Sequence, residues 1–355
     1  YLEGNVKDSI SGFPISNATI DILSFNIISA TTNLVGDYVT GQAQSGNFEV
    51  VYNADGYFAD TIDVELVSGE LIIQNIALLP ENSFSKNGRV IDQYGEGIAN
   101  ANIRLFNGFV FHETISNNEG FFFIDTLYQS DNYILMAGKW EFITSCQNNF
   151  YLLDDGSDLE IVLNDGYYDD FTFDFGWEVS GTAVSGIWES GEPYGIISEN
   201  QYITPPFDIS TDCYSNAFVT GNSVGPLGGD DVDNGVTILR SPVFDISTLN
   251  KPAIEFHQWF VNFGGWSQAN DSLIIMLTNS NSSESVVLDV SVAQFNNEWQ
   301  KKNYTNLNNL NLGDSLRLEI IASDYQPNNH WVEAAFDGFY LYEDTSTVTF
   351  VSDYS

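Results

Sequence analysis

The chain has 355 residues, 43% of them hydrophobic, with 26 Phe, 18 Tyr and 7 Trp, and it sets 49 Asp plus Glu against 10 Lys plus Arg for a net charge of −39. This aromatic content suits packed β cores and argues against disorder, whereas so large a negative charge repels a phosphate backbone or an anionic leaflet and excludes nucleic-acid binding. The carboxylate excess calls for salt or bound hard cations, calcium first because it accepts clusters of oxygens, and a saline extracellular setting supplies both.

Seven short strands are expected in the first 80 residues, at 2–6, 18–23, 25–32, 37–40, 47–52, 60–66 and 71–78, separated by Gly, Asn, Asp and Pro. Their opening phrase, Gly4-x-Val6-x-Asp8, a turn, then Asn17-Ala18-x-Ile20, recurs as Gly88-x-Val90-x-Asp92, a turn, then Asn100-Ala101-x-Ile103. Repetition at this spacing means two copies of one small β domain in tandem. Pro80-Glu81-Asn82-Ser83 is the polar boundary between them. In the second copy Asn117-Asn118-Glu119-Gly120 matches the place of Gly36-Asp37, and Leu159–Leu163 closes the unit.

From Asp169 the texture shifts to longer strands, at 215–221, 236–244, 253–261, 272–278, 285–292, 315–322 and 333–342, with more Trp and loops of Asn, Asp and Gly. The fold class is therefore all-β: two small Greek-key sandwiches followed by a larger jelly-roll. The domains are 1–80, 81–165 and 166–347, with a tail at 348–355. Cys146 and Cys213 fall in different domains on this division and are either bridged or two buried thiols. No apolar run approaches the ~20 residues of a membrane helix. Tyr1 opens directly on a strand pattern, so any signal peptide or upstream domain is expected outside this numbering.

The repeated phrase, with Gly46-Asn47-Phe48-x-Val50 and Ala54-Asp55-Gly56-Tyr57 in the first copy, resembles the carboxypeptidase regulatory-like domain, a transthyretin-like sandwich. The second copy departs from that pattern where Gly138-Lys139-Trp140 replaces a small-Gly-Tyr run. Further on, an ordered series resembles a MAM-like jelly-roll found near the C-terminus of secreted bacterial zinc carboxypeptidases. It runs Gly186-Ile187-Trp188-Glu189, Val219-Thr220-Gly221-Asn222, Gly229-Asp230-Asp231-Val232-Asp233-Asn234-Gly235, Leu239-x-Ser241-Pro242-Val243-Phe244-Asp245 and Val332-Glu333-Ala334-Ala335-Phe336-Asp337-Gly338. Asp-Ser or Asp-Thr before an aliphatic residue, as in Asp60-Thr61-Ile62 and Asp271-Ser272-Leu273, resembles the O-glycosylation signal of exported Bacteroidetes proteins.

Two acidic constellations are candidate calcium sites. Asp230, Asp231 and Asp233 lie between glycines, where backbone and side-chain oxygens converge on a cation or where the loop is simply solvated. The MAM-like resemblance implies a second site joining the first strand, at Asp169 or Asp170, to Asp337 on the last, with Asp174 or Glu333 as further ligands. The competing reading makes Asp337-Gly338 a turn or bulge. His330-x-x-Glu333 spells the zinc pair of metallocarboxypeptidases, but catalytic zinc needs three protein ligands and no His follows His330. Gly-x-Ser-x-Gly with a His and an acid in an α/β setting is also missing. Trp188, Trp266 and Trp331 are candidate ligand-binding rings, while Trp259, alternating with Phe256 and Phe260, belongs to the core.

The sequence thus describes a non-catalytic accessory region of a secreted or cell-surface bacterial protein, a spacer plus a calcium-stabilised module that binds a glycan or a protein. Any catalytic domain, such as a zinc carboxypeptidase, would lie outside this chain. The alternative is a structural subunit of a cell-surface assembly, and after that a glycan-active hydrolase.

Overall fold

The computed structural model describes residues 1–345 apart from 82, 109, 129, 199, 224–228, 265–269, 293–294 and 326–329. Strands make up almost all of its regular structure, and among the described residues the helical element is one 3-10 turn, Leu307–Leu310. Contacts divide the chain into two compact units, residues 1–90 with 97–136 and 147–161, and residues 91–96 with 137–146 and 162–355.

In the first repeat Leu2–Asp8 runs antiparallel to Asp37–Thr40 and parallel to Ile72–Ile73 and Ile76–Leu78. A second sheet orders Ile28–Thr31, Thr19–Leu23, Gly46–Asn53 and Asp60–Leu66, all antiparallel. Alternation decides which side chains enter the core: Leu2, Val6, Ile20, Ile22, Val50, Tyr52, Val64 and Leu78 are buried together. Strand 25–32 is shorter than expected because Phe25 and Ile27 project into solvent. The expected strand 71–78 splits at Gln74-Asn75, where the Gln74 carbonyl accepts the Tyr38 hydroxyl and the Asn75 side chain accepts the Asn5 N–H.

The second repeat builds one sheet from Phe111–Ile115, Asn102–Phe106, Ser130–Gly138 and Ser145–Leu152, and another from Phe121–Leu127, Phe84–Asp92 and Leu159–Leu163. The repeated phrase is repeated atom by atom. Asn17 and Asn100 both adopt left-handed φ, 59° and 56°, which Asn tolerates better than most residues. The next amide, Ala18 or Ala101, donates to a hydroxyl, Thr32 or Ser116, that in turn donates to the carbonyl of Ile15 or Ile98. Asn33 and Asn117 each accept two turn amides. Gly36 and Gly120 close these turns at φ 78° and 85°, where a Cβ would lie 2.6 Å from the Val6 carbonyl oxygen and 2.3 Å from that of Val90. Gly36→Ala and Gly120→Ala are each expected to destabilise by more than about 1 kcal/mol, since backbone strain and clash add. Urea unfolding should show the same penalty in both copies.

The second unit contains two six-stranded sheets. One orders Trp188–Gly191, Ala217–Thr220, Trp331–Glu343, Pro252–Phe263 and Phe295–Tyr304, with Tyr167–Asp169 also on Trp331–Glu343. The other orders Glu178–Gly181, Gly235–Arg240, Ser315–Asp324, Ser272–Asn279 and Ser285–Val292, with Phe244–Asp245 also on Ser315–Asp324. Leu239, Phe244, Phe256, Leu273, Ile275, Leu318, Ile320, Phe336 and Phe339 are buried in one core. The first strand of this unit's jelly-roll pairs with its last, Tyr167 opposite Leu341 and Asp169 opposite Phe339.

Trp140, where the second repeat departs from its pattern, stacks with Phe339 at 5.8 Å and packs edge-on to Tyr167 at 5.2 Å. Its indole N–H donates to the Val243 carbonyl at 2.6 Å. Cys146 and Cys213 form a disulfide, with Cα atoms 6.0 Å apart, and both lie in the second unit.

Candidate metal centre

The last strand, Trp331–Glu343, breaks register at one point. Its partner Pro252–Phe263 pairs Glu255 with Tyr340 and His257 with Asp337, so Gly338 and Phe339 together oppose Phe256. This is a β-bulge with Gly338 in the left-handed region at φ 64°, a device that re-aims the neighbouring side chain. The bulge and the acidic site are therefore the same feature. Asp337 is fully buried and accepts the Gly338 N–H at 2.6 Å.

Opposite Asp337 lies the loop carrying Asp208 and Asp212. Three anchors fix that loop: Trp259 Nε1–H donates to the Ile203 carbonyl at 2.7 Å, Trp299 Nε1–H to the Phe207 carbonyl at 2.9 Å, and Cys213 is bonded to Cys146. One oxygen from each of Asp208, Asp212 and Asp337 lies within 4.8 Å of the other two. Asp208 Oδ2 and Asp212 Oδ2 are buried with no hydrogen-bond partner. Among the described residues no Lys or Arg pairs with these three. Burial first, then the neighbouring carboxylates, pushes Asp212 up to about 9 and holds Asp337 well above the usual carboxylate range. Burial also raises Asp208, with the Asp170 charge adding to it.

Asp170 is buried nearby, and its charge also acts on Asp212 and on the half-buried Tyr168. Asp169 faces away, accepting the Phe171 N–H at 2.9 Å and Trp177 Nε1–H at 2.8 Å. Asp174 is exposed and caps Gly176. The structure sets Asp337 with Asp208 and Asp212, and Asp170 acts on the latter two through its charge. Their Asp-x-Ser-x-Asp spacing carried the alternate-oxygen signal of a cation loop. The oxygen-only donor set with unpartnered buried oxygens fits a hard cation.

The loop 229–235 forms a second acidic region. Asp231 is buried, accepts the Val332 N–H at 3.3 Å and is raised to about 7 by burial and by Asp233. Asp230 accepts the Ser223 N–H, and Asp233 the Ser185 hydroxyl. Glu333 comes here rather than to Asp337. It is buried, accepts the Thr220 hydroxyl at 3.2 Å and is raised by burial and then by Asp231 and Asp230. Its Oε1, like Asp230 Oδ1, has no partner.

His330 and Glu333 do not converge. His330 Nδ1 lies 3.0 Å from Asp271 Oδ2, while Glu333 faces Thr220 and the acidic loop. Trp188 is a core residue, correcting its reading as a ligand-binding ring: it is 3% exposed and donates Nε1–H to the Thr237 carbonyl. Trp331 is half-buried, edge-on to Phe263 at 4.8 Å, and Trp266 lies outside the described residues. Ser272, one serine of the glycosylation-like signal, is buried against Ser323, whereas Thr61 is exposed.

No protein-family model and no curated protein matches the chain. Among solved structures it is similar to carbohydrate-binding modules of the β-sandwich superfamily, at 11% identity over 74% of this chain and 100% of that one, with a TM-score of 0.31. It is also similar to the K1 cleaved adhesin domain of Lys-gingipain from Porphyromonas gingivalis W83, at 12% identity over 50% of this chain and 98% of that one, TM-score 0.30. A streptococcal ancillary pilin matches at 13% identity over 46% of this chain, TM-score 0.23, and the match spans 61% of the pilin chain.

Proposed function

We propose that the chain is the non-catalytic accessory region of a secreted or cell-surface protein. Two transthyretin-like sandwiches, residues 1–80 and 81–165, act as a spacer. A MAM-like jelly-roll, residues 166–347, is braced by calcium at Asp170, Asp208, Asp212 and Asp337 and at Asp230, Asp231, Asp233 and Glu333, and binds a glycan or a protein with Trp331 as a candidate contact. The observation that carries this reading is the convergence of an anchored loop and the bulged last strand, itself paired with the first strand, on three carboxylates, of which Asp208 and Asp212 each keep a buried oxygen without a partner. A cation there ties three distant segments together. The disulfide and the net charge of −39 support an oxidising, saline setting outside the cell.

Incubation with peptide and glycan substrates tests the proposal. Turnover abolished by His330→Ala or Asp337→Asn would overturn it, and glycan or protein binding weakened by Trp331→Ala supports it.

The structural-subunit reading is favoured by one observation: Phe25, Leu34 and Phe13 on the first sandwich are 103%, 87% and 66% exposed, large apolar area of the kind that anchors protein contacts. Stoichiometric capture of a partner from native envelopes, not displaced by oligosaccharide, distinguishes it.

A further inference from the structure

We infer that Asp271, Asp324 and His330 form a further metal site that prefers a first-row transition ion, zinc above all, to calcium. One ligand atom from each lies within 4.8 Å of the other two, and all three residues are buried, at 0%, 2% and 1% exposure. Asp271 Oδ2 already sits 3.0 Å from His330 Nδ1. Ligands about 2.0–2.2 Å from a tetrahedral zinc stand roughly 3.4 Å apart, close to the separation of the Asp271–His330 pair.

The remaining oxygens sort into spent and available. Asp271 Oδ1 accepts the Tyr325 N–H at 2.7 Å, and Asp324 Oδ2 accepts the Asn234 N–H at 2.8 Å. These bonds fix both carboxylates. Asp324 Oδ1 is left buried with no hydrogen-bond partner. Two buried carboxylates beside one imidazole carry more negative charge than a protonated His330 offsets, and a divalent ion with neutral His330 balances it. An imidazole donor is what separates this trio from the oxygen-only cluster at Asp337, because nitrogen favours zinc, copper or nickel where calcium prefers oxygen. The site is separate from the Asp337 cluster but touches the loop 229–235 through Asn234, so zinc and calcium affinities are read separately.

The full chain, stripped with chelator, is titrated with zinc and with calcium by calorimetry, and loaded with cobalt(II) to read visible absorption. Zinc should bind the wild type, His330→Gln and Asp324→Asn should each weaken it by more than about a hundredfold, beyond the effect of an outer-shell change, and Asp337→Asn should leave it unchanged. Calcium binding should survive His330→Gln. The cobalt band should disappear in Asp324→Asn, which keeps the His330–Asp271 pair and so keeps the assay valid if His330→Gln does not fold. Zinc affinity that is absent in the wild type, or equal in wild type and Asp324→Asn, would overturn the site and leave His330–Asp271 as a buried structural contact.

Discussion

Stripping calcium from the protein is expected to lower the melting temperature of its jelly-roll by about 5–10 °C. A cation bound to the folded state alone contributes about 2.7 kcal/mol when present at a hundred times its dissociation constant, and each kcal/mol moves a domain of this size by about 2–4 °C. Scanning calorimetry of the full chain with calcium and with excess chelator measures the difference. Asp337→Asn should abolish most of it.

The same site predicts a pH dependence whose sign depends on the cation. In the metal-free protein, burial and mutual repulsion raise Asp208, Asp212 and Asp337, Asp212 to about 9 from an ordinary 3.8. The folded state then holds protons that the unfolded chain has released. Stability is fully present below about pH 4 and lost as pH rises through the folded values toward pH 9. Asp231, raised to about 7, acts in the same direction. With calcium bound the slope reverses, because protons compete for the oxygens that hold the ion. Melting temperature between about pH 5 and pH 9 should fall without calcium and rise with it. Parallel slopes in the two conditions would remove calcium from the site.

Local chemistry made much of this fold legible before any coordinates. The repeated Gly, Asn and Asp positions each settle a turn through their own neighbours, so Asn17 and Asn100, or Gly36 and Gly120, play the same part in both copies. Strand Phe295–Tyr304 was not legible, because its Asn, Gln and Lys residues hide the alternation. It pairs with Pro252–Phe263 and places Lys301 in an ion pair with Glu255. At the site, the MAM-like resemblance named Asp170 and Asp337, at the end of the first strand and on the last, and the structure groups Asp337 with Asp208 and Asp212. The spacing of Asp208 and Asp212 was a signal, but their meeting with Asp337 was not legible, since a loop's destination depends on long-range anchors such as Trp259 Nε1–H to Ile203. Trp188 misled for the opposite reason: it was read as a ring in or beside a loop, yet its indole N–H is satisfied in the core by Thr237.

Breaking the disulfide is the second large perturbation. Cys146 and Cys213 are 67 residues apart, and closing a loop of that length removes unfolded-state entropy equivalent to about 4 kcal/mol. A Cys146→Ser, Cys213→Ser double variant should therefore melt roughly 10 °C lower. Reduction alone should reproduce the shift. Cys213 follows Asp212, so releasing it also frees one edge of the carboxylate cluster while the indole contacts to Ile203 and Phe207 continue to hold the other. Calcium affinity should weaken in the double variant, and added calcium should recover part of the lost melting temperature. A variant that melts lower yet binds calcium as tightly as the wild type would show that the bridge serves the scaffold and that Asp212 is positioned without it.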